Sequence, residues 1–269
     1  MDRELTPDHG SRFSDFQPSL RIGCVQYLNA RPLVHGWPGE ISFDHPSALC
    51  TKLASGDLDV ALVSSFEFLR NPIYRIVDGI SIASDGPVYS VVVAHLGERT
   101  EIREIALDPA SESSANLLRC LLAAAGLKPR LLQLSTSAIT PERARLLIGD
   151  QALHFRQEHK ADLYFWDLGA EWKKLINLPF VYALWLIRPE VDDCNTIAEK
   201  LRTLRNRNLQ NIDSVIDEKT FDRCFCRHYY LDNLRFGFGE REKNGLRTFA
   251  TLCAEQGLIP EREIVFDLA

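Results

Sequence analysis

The sequence has no long apolar run. A membrane-spanning helix needs about 18 or more consecutive apolar residues, and no stretch of this chain reaches that length. The first residues, MDRELTPDHGSRFSDFQPS, are polar and lack the apolar centre of a signal peptide, so we expect residues 1–19 to be a disordered tail. These absences favour a cytoplasmic protein without a membrane partner.

A basic surface is also missing. The formal net charge is −6, which argues against a broad nucleic-acid interface because phosphates require a positive surface. A small anion can still bind, since one pocket can be locally positive in an acidic protein. The length of 269 residues and the hydrophobic content of 45% indicate one large or two small globular domains.

The cysteines do not form a disulfide or metal-binding pattern. Seven are scattered along the chain, and an odd, scattered set is typical of reduced thiols in the cytosol. Cys224 and Cys226, with His228 nearby, are spaced more closely than the usual zinc pair, and the sequence shows no second pair. We therefore expect no metal site.

Residue sets that signal a well-known catalytic mechanism are missing too. The chain has no Gly-x-Ser-x-Gly turn, no glycine-rich phosphate loop and no dinucleotide fingerprint. Its seven histidines lie in different segments and show no nucleophile partner. Any chemistry must therefore depend on other polar groups, and a nucleotide cofactor is not expected.

Short apolar runs rich in β-branched and aromatic residues alternate with amphipathic segments. The predicted strands are 22–25, 60–63, 88–93, 104–107, 131–134, 161–165 and 180–186. The predicted helices are 47–55, 113–125, 142–148, 169–175, 196–206, 212–216, 220–229 and 240–256. Alternation of this kind is typical of an α/β fold with a mainly parallel sheet.

Two long runs, 88–95 and 180–188, can connect two groups of strands. A chain that crosses twice leaves its first lobe discontinuous, so we predict lobe one at 20–92 plus 186–269 and lobe two at 93–185. Ligands of open α/β sheets bind beyond the carboxyl ends of strands and at domain interfaces. We therefore expect the ligand cleft between the two lobes.

Five loops that follow predicted strands are rich in Ser, Asn and Asp: 27–30, 63–67, 85–90, 108–114 and 148–153. Each can be explained as a helix cap, which stabilises by about 1 kcal/mol. Several helix N-termini facing one cleft would instead bind a carboxylate or phosphate. Ser111, Ser113 and Ser114 are the best such anion site, and Ser64 with Ser65 is the second. This pattern predicts a dianionic small molecule with one end held by each lobe.

Two carboxylates belong to these candidate loops. Asp150 is expected to cap the helix or turn that follows it, close to the substrate. Asp167, in YFWDLGAEW, ends a predicted strand and could meet a ligand hydroxyl. Both are therefore included among the candidate substrate-binding residues.

Several longer stretches resemble one enzyme family. They are RIGCVQYLNARPL, LASGDLDVALVSSFEF, LIGDQAL, DLGAEWKKLINLPFVYALW and FGFGEREKNGLRTFATLCAEQGLI, which lie between residues 20 and 266. In combination they resemble the chorismate dehydratase family of the futalosine route to menaquinone. The resemblance implies a two-lobed, type II periplasmic-binding-protein-like fold. It also implies dehydration of chorismate to 3-[(1-carboxyvinyl)oxy]benzoate without a cofactor.

The resemblance further implies residue roles. In that family the Asn of Tyr-Leu-Asn-Ala and a Ser of Gly-Pro-Val-x-Ser lie next to the substrate. They match Asn29 and Ser90 here, which are the implied catalytic residues. The groups implied to hold the substrate carboxylates are Ser64, Ser113, Ser114 and the backbone at Gly149.

One loop departs from the family pattern. The family often has Ser-Arg-Thr-Ser where this chain has Ser111-Glu112-Ser113-Ser114. A carboxylate facing the cleft would repel a dianion, so we expect the Glu112 side chain to point to solvent.

Two other functions are compatible with the same fold. One is a cytosolic binding-only protein for a small carboxylate, although a transport receptor should carry a signal peptide. The other is the related 1,4-dihydroxy-6-naphthoate synthase, which typically has a Pro-Asn-Asp type motif where this chain has Tyr27-Leu28-Asn29-Ala30. The sequence leaves the oligomeric state open between monomer and homodimer.

Overall fold

Two five-stranded sheets form the frame of the protein. The computed structural model describes residues 20–108, 112–133 and 138–269. The first sheet contains β1 (Ile22–Cys24), β2 (Ile41–Phe43), β3 (Val60–Ser64), β4 (Arg75–Ser84) and β10 (Phe180–Ile187), in the order β2-β1-β3-β10-β4. The second contains β5 (Val91–His95), β6 (Glu104–Leu107), β7 (Arg130–Gln133), β8 (Arg143–Ile148) and β9 (Tyr164–Asp167), in the order β7-β6-β8-β5-β9.

The two sheets share one layout. In each, one antiparallel strand lies between strands that run the other way: β10 between β3 and β4, and β5 between β8 and β9. Each antiparallel strand is the first one formed after the chain leaves the other sheet. Its amino end therefore lies beside the carboxyl ends of its neighbours. Loops from both sheets meet at these edges, where ligands of open α/β sheets bind.

Helices cover the sheets and follow most strands. They are α1 (Arg31–Val34), α2 (Pro46–Ser55), α3 (Ser65–Arg70), α4 (Glu112–Ala124), α5 (Gly149–His159), α6 (Leu168–Ile176), α7 (Cys194–Gln210), α8 (Ile212–Val215), α9 (Arg223–His228) and α10 (Glu240–Glu255). A short 3₁₀ turn, Leu28–Ala30, precedes α1, and a π-helical turn, Tyr229–Asn233, follows α9. No helix in these described ranges is long and apolar enough to cross a membrane.

The predicted helix at 142–148 is wrong. This segment is β8, which pairs with β5 on one side and β6 on the other. Ala144, Leu146, Leu147 and Ile148 are all buried. A strand covered on both faces has no alternation of apolar and polar residues, and periodicity alone cannot separate such a run from a buried helix. Two strands, β2 and β4, are additional to the predicted set.

The chain passes between the sheets twice, after β4 and after β9. The β10 strand pairs along its length with β3 and β4, so it belongs to the first sheet. This pairing favours a second lobe boundary before Phe180 rather than at residue 185. The exact limits of the lobes stay a prediction, and the predicted tail at 1–19 lies outside the described residues.

Aromatic packing joins the second crossing to the first sheet. The ring of Trp172 on α6 lies 5.1 Å from Phe180 on β10, and Phe180 lies 4.8 Å from Phe249 on α10. All three side chains are almost fully buried. Burying one large apolar side chain stabilises a fold by about 1.5–3 kcal/mol. This cluster therefore fixes the segment that carries the chain back into the first sheet.

Candidate functional site

A cleft lies where the loops of both sheets meet. Most of its wall is apolar, from side chains such as Val25, Leu62 and Ile148. Its polar residues and its glycine are Tyr27, Asn29, Ser64, Ser90, Ser114, Gly149 and Tyr182. These positions come from both sheets, so the cleft lies between the lobes as the sequence predicts.

Asn29 and Ser90 lie in this cleft, 61 positions apart in the chain. Asn29 belongs to the 3₁₀ turn after β1, and its Oδ1 atom is buried without a hydrogen-bond donor among the described residues. Ser90 precedes β5 and is 1% exposed. Its carbonyl accepts a hydrogen bond from the Gly149 N–H at 2.9 Å, and its Oγ accepts one from the Tyr229 hydroxyl at 2.6 Å. The pair thus has an acceptor, Asn29 Oδ1, that receives no hydrogen bond from the described residues, and a Ser90 hydroxyl whose oxygen is already bonded by Tyr229.

Three of the predicted serines form a hydrogen-bonded cluster between the lobes, which we call the serine cluster: Ser64, Ser65 and Ser113. Ser113 Oγ lies 2.6 Å from Ser64 Oγ and 3.0 Å from Ser65 Oγ. Ser65 Oγ also donates to the Val181 carbonyl at 2.6 Å. Ser64 caps α3 and accepts from the N–H groups of Phe66 and Ser113.

The proton positions in the serine cluster follow from counting donors and acceptors. A hydroxyl has one donor and two acceptor sites. Two N–H groups occupy the acceptor sites of Ser64, so its proton must point to Ser113. Ser65 gives its proton to Val181, so Ser113 must donate to Ser65. All three hydroxyl protons are therefore used inside the protein.

The other members of the predicted anion sites differ in position. Ser114, in the first turn of α4, lines the cleft. Ser111 lies outside the described residues. The cleft wall includes Ser64, whereas Ser65 and Ser113 lie behind it as links in the cluster. Among the serines placed by the structure, Ser90 and Ser114 are therefore the better candidates for direct ligand contact.

Gly149 faces Tyr27 across the cleft. Its φ is +56°, and a Cβ atom at this position would lie 3.0 Å from the Tyr27 ring. Its N–H is engaged by the Ser90 carbonyl. Gly149 therefore lets the Tyr27 ring pack directly against its backbone, while its own N–H stays in the strand pairing rather than turning to a ligand.

Asp150 connects the two lobes instead of capping its helix. The residue that precedes α5 is Ile148, and Asp150 Oδ1 accepts a hydrogen bond from the Leu28 N–H at 2.8 Å. The expected capping role is therefore wrong, because the carboxylate reaches across to the loop of Asn29. Burial raises the pKa of Asp150, and the bond from Leu28 only partly opposes that shift.

Asp167 does not line the cleft but bonds the backbone of the segment between β4 and β5, where the chain first passes from one sheet to the other. It caps α6 by accepting from the Ala170 N–H, and it also accepts from the N–H groups of Val88 and Tyr89 at 3.1 and 2.8 Å. Tyr89 has φ +69°, a conformation that non-glycine residues rarely adopt. The Arg156 guanidinium lies 3.7 Å above the Tyr89 ring. These contacts fix the backbone immediately before Ser90.

Glu112 is not extended into solvent. It is half-buried, and its Oε1 atom pairs with Arg70 at 2.6 Å. Arg70 also pairs with the buried Glu67. Cys50, Glu67 and Glu112 are the one group of three potential metal ligands in the described chain, but Arg70 pairs with both carboxylates. The negative charge of Glu112 is thereby partly offset by Arg70.

Two functional features were missed from the sequence. Tyr182 lines the cleft from β10, and Tyr229 reaches Ser90 from the π-helical turn. Burial raises the pKa of Tyr182 and of Tyr229, so both hydroxyls stay protonated at neutral pH. Tyr229 lies 139 positions from Ser90, and nothing in its local sequence indicates this contact. The described part of the cleft wall thus offers neutral donors and acceptors, with no histidine or lysine among them.

Comparison with known proteins adds the family and the fold. The profile of a family described as menaquinone biosynthesis matches residues 20–255. A chorismate dehydratase from Thermus thermophilus is 28% identical, over 85% of this chain and 93% of its own. Another, from Campylobacter jejuni, is 25% identical over 84% and 90%.

Solved structures confirm the two-lobed fold. An Archaeoglobus fulgidus protein superposes with a TM-score of 0.70 at 17% identity, covering 89% of this chain and 98% of that one. The periplasmic aliphatic sulphonate binding protein SsuA from Escherichia coli does so with a TM-score of 0.59 at 14% identity, covering 92% and 89%. The expected periplasmic-binding-protein-like fold is therefore confirmed.

Proposed function

The chain belongs to the menaquinone biosynthesis family, and we propose that it is a hydro-lyase that converts chorismate to 3-[(1-carboxyvinyl)oxy]benzoate. The observation that carries this proposal is the pairing of Ser90 and Asn29 in one buried cleft. Ser90 has its oxygen already bonded by Tyr229, so its proton is available to a ligand, and Asn29 presents an acceptor. Together they can bind one hydroxyl group from both sides.

The substrate hydroxyl that fits this pair is the one lost in the reaction. In our proposal the C4 hydroxyl of chorismate donates to Asn29 Oδ1 and accepts from the Ser90 hydroxyl. The C4–O bond breaks with its electron pair moving to the departing oxygen, and the C3–H electrons complete the aromatic ring. The hydrogen bond from Ser90 strengthens as negative charge develops on that oxygen, which lowers the barrier.

The proton acceptor in this proposal is the substrate itself. The enolpyruvyl carboxylate takes the C3 proton and passes it to the departing hydroxide, which leaves as water while the carboxylate is regenerated. The protein then has to hold the reacting conformer, which by itself can supply a large rate enhancement. The neutral polar lining of the described cleft supports this division of work, because it supplies no obvious side-chain base.

The two substrate carboxylates require separate positions. We place one at the N-terminus of α4, where Ser114 lines the cleft and the helix dipole favours an anion. We place the other at the start of α5, beside Gly149, where a second helix N-terminus borders the cleft and its dipole favours an anion. Ser64 can contribute only if its hydrogen bond to Ser113 rearranges.

We further propose that the reaction belongs to the futalosine pathway and takes place in the cytoplasm. The family description and the names of the relatives support a role in menaquinone synthesis. They favour the dehydratase over a binding-only protein and over the naphthoate synthase.

Product formation tests the proposal directly. Purified protein is incubated with chorismate, and the enolpyruvyl benzoate is followed by chromatography, with heat-inactivated protein as the control. We expect product to accumulate with time and with enzyme concentration. Tight binding of chorismate without product would instead support the binding-only alternative.

A further inference from the structure

Tyr229 belongs to neither of the two segments that cross between the sheets, yet its side chain contacts Ser90. It is the first residue of the π-helical turn Tyr229–Asn233, and its side chain is fully buried. Its ring stacks on Phe225 at 5.9 Å with an interplanar angle of 10°, and Phe225 in turn contacts Tyr89 at 5.8 Å. Single π-helical turns occur frequently at functional sites. Phe225 of α9 therefore packs against both Tyr229, which bonds Ser90, and Tyr89, which precedes Ser90 in the chain.

The geometry of the structure gives the direction of the hydrogen bond between Tyr229 and Ser90. The Tyr229 hydroxyl donates to Ser90 Oγ at 2.6 Å. Burial keeps the tyrosine protonated by raising its pKa, while its side-chain hydrogen bonds oppose that shift only in part. Because Ser90 accepts this proton, its own hydrogen must point away from Tyr229. A serine that accepts such a bond also becomes a stronger donor through polarisation along the chain of bonds.

We propose that Tyr229 is a positioning residue that fixes the Ser90 hydroxyl so that its proton is directed to the ligand in the cleft. The inference rests on the proposed dehydratase function, because it gives that proton a task at the departing oxygen. Tyr229 acts through the residues it contacts, Ser90 and the neighbouring Asn29, and the cleft wall defined above does not include it.

The neighbouring tyrosine provides a matched control. Tyr230 is in the same π-helical turn and is equally buried, but its hydroxyl has no partner among the described residues. Tyr229→Phe and Tyr230→Phe each remove one buried oxygen from adjacent positions. Only the first removes a hydrogen bond to Ser90.

Steady-state kinetics on chorismate tests the proposal. We expect Tyr229→Phe to lower kcat by about tenfold with little change in KM, the size of one lost hydrogen bond felt in the transition state. Tyr230→Phe should keep the wild-type kcat. Adding Tyr229→Phe to Ser90→Ala should cause a smaller loss than Tyr229→Phe causes alone, since the bond to Ser90 is then already gone and only the contact with Asn29 remains. A wild-type kcat in Tyr229→Phe, or losses that multiply in the double variant, would overturn the proposal.

A second measurement keeps the two proposals distinguishable. If the wild-type protein makes no product, the proposed function fails, and the contact is then tested by thermal unfolding of the same variants. We expect Tyr229→Phe to lower the Tm by about 2–4 °C, and to lower it less when Ser90 is already alanine. Equal shifts in both backgrounds would show that Tyr229 and Ser90 are not coupled, which rejects the positioning role without reference to any substrate.

Discussion

Two groups of polar side chains, one lining the cleft and one mostly behind its wall, have opposite hydrogen-bonding states. In the serine cluster of Ser64, Ser65 and Ser113, every hydroxyl proton is used, and the last one goes to a backbone carbonyl. In the Asn29 and Ser90 pair, a buried amide oxygen has no donor in the described chain and a serine proton is directed away from Tyr229. Because a buried polar group without a partner destabilises the fold, the open pair indicates binding, whereas the closed cluster indicates lobe packing.

This difference in hydrogen bonding distinguishes a structural role from a binding role, which the residue types alone do not. Both groups consist of small polar residues in loops that follow strands, so either could cap helices or bind anions. Ser64 does cap α3, and Ser113 ties α4 to the loop of α3. The cluster therefore holds the lobes together even when no ligand is present. The open pair has its hydrogen-bonding capacity available for chemistry.

The largest effect is expected from the open pair. Asn29→Ala and Ser90→Ala should each lower kcat by at least about tenfold, because each removes a contact that strengthens in the transition state. The Tm of Asn29→Ala should stay close to wild type, since its side chain carries no packing of a core element. Ser90→Ala should lose the few degrees of Tm that the hydrogen bond from Tyr229 supplies. Kinetics with chorismate and a thermal melt on the same preparations measure both quantities.

Ser64→Ala is not a clean control for this experiment, because Ser64 also lines the cleft. A drop in Tm of several degrees together with wild-type kcat in Asn29→Ala or Ser90→Ala would contradict the comparison. It would show that the pair is structural in the way the cluster is.

A smaller and opposite effect is expected from the cluster. Ser113→Ala removes the central hydroxyl, which leaves Ser64 without its acceptor and weakens the bond from the Phe66 N–H. Losing these buried contacts should lower the free energy of unfolding by about 1–3 kcal/mol. We expect kcat to remain within about twofold of wild type, since the hydroxyl lies behind the cleft wall.

Denaturant unfolding and kinetics on Ser113→Ala and Ser113→Thr measure this effect. The threonine variant keeps the hydroxyl and serves as the matched control, although its extra methyl group must fit a buried site. If Ser113→Ala lost activity in proportion to Ser90→Ala while its stability stayed the same, the cluster would belong to the binding machinery after all.

The sequence predicts the layers of this fold better than it predicts the partners within the site. Strands such as 104–107 coincide with the observed element because their apolar runs are short and bounded by polar residues. The helix expected at 142–148 is wrong because a strand covered on both faces resembles a buried helix in sequence. Local pattern is therefore sufficient for strands such as β3 and β10, whereas the segment at 142–148 is identified only by its pairing with β5 and β6.

The sequence predicts only those site residues that belong to a recognisable short motif. Asn29 and Ser90 are placed by short motifs, and the structure brings both to one cleft. Tyr229, and the tasks of Asp150 and Asp167, depend on contacts between segments that are 78 to 139 positions apart. A carboxylate that caps a helix and one that bonds a distant backbone N–H look the same in a single sequence, so these roles require the three-dimensional arrangement.

The smallest expected effect concerns Asp150. Its carboxylate accepts a hydrogen bond from the Leu28 N–H, next to Asn29 in the chain. Its pKa in the folded protein is raised above the ordinary value of 3.8 by burial, although His154 and Arg31 oppose the shift. The fold thus favours the protonated form. The stability linked to this group is present below the unfolded pKa and is lost as the pH rises through the folded one. Asp150→Asn, which cannot ionise, should therefore gain in Tm relative to wild type between about pH 4 and pH 7.

A control with the opposite sign is available in Asp44. Its pKa is lowered by the hydrogen bond with Lys52. Asp44→Asn should therefore lose Tm relative to wild type over the same range of pH, and only slightly because the pair is exposed to solvent. Melting curves of both variants at matched ionic strength separate the two signs. A difference between Asp150→Asn and wild type that does not change with pH would mean that Asp150 is not desolvated. The bond to Leu28 would then be a solvent-exposed contact, and the loop that carries Asn29 would not be held by a buried carboxylate.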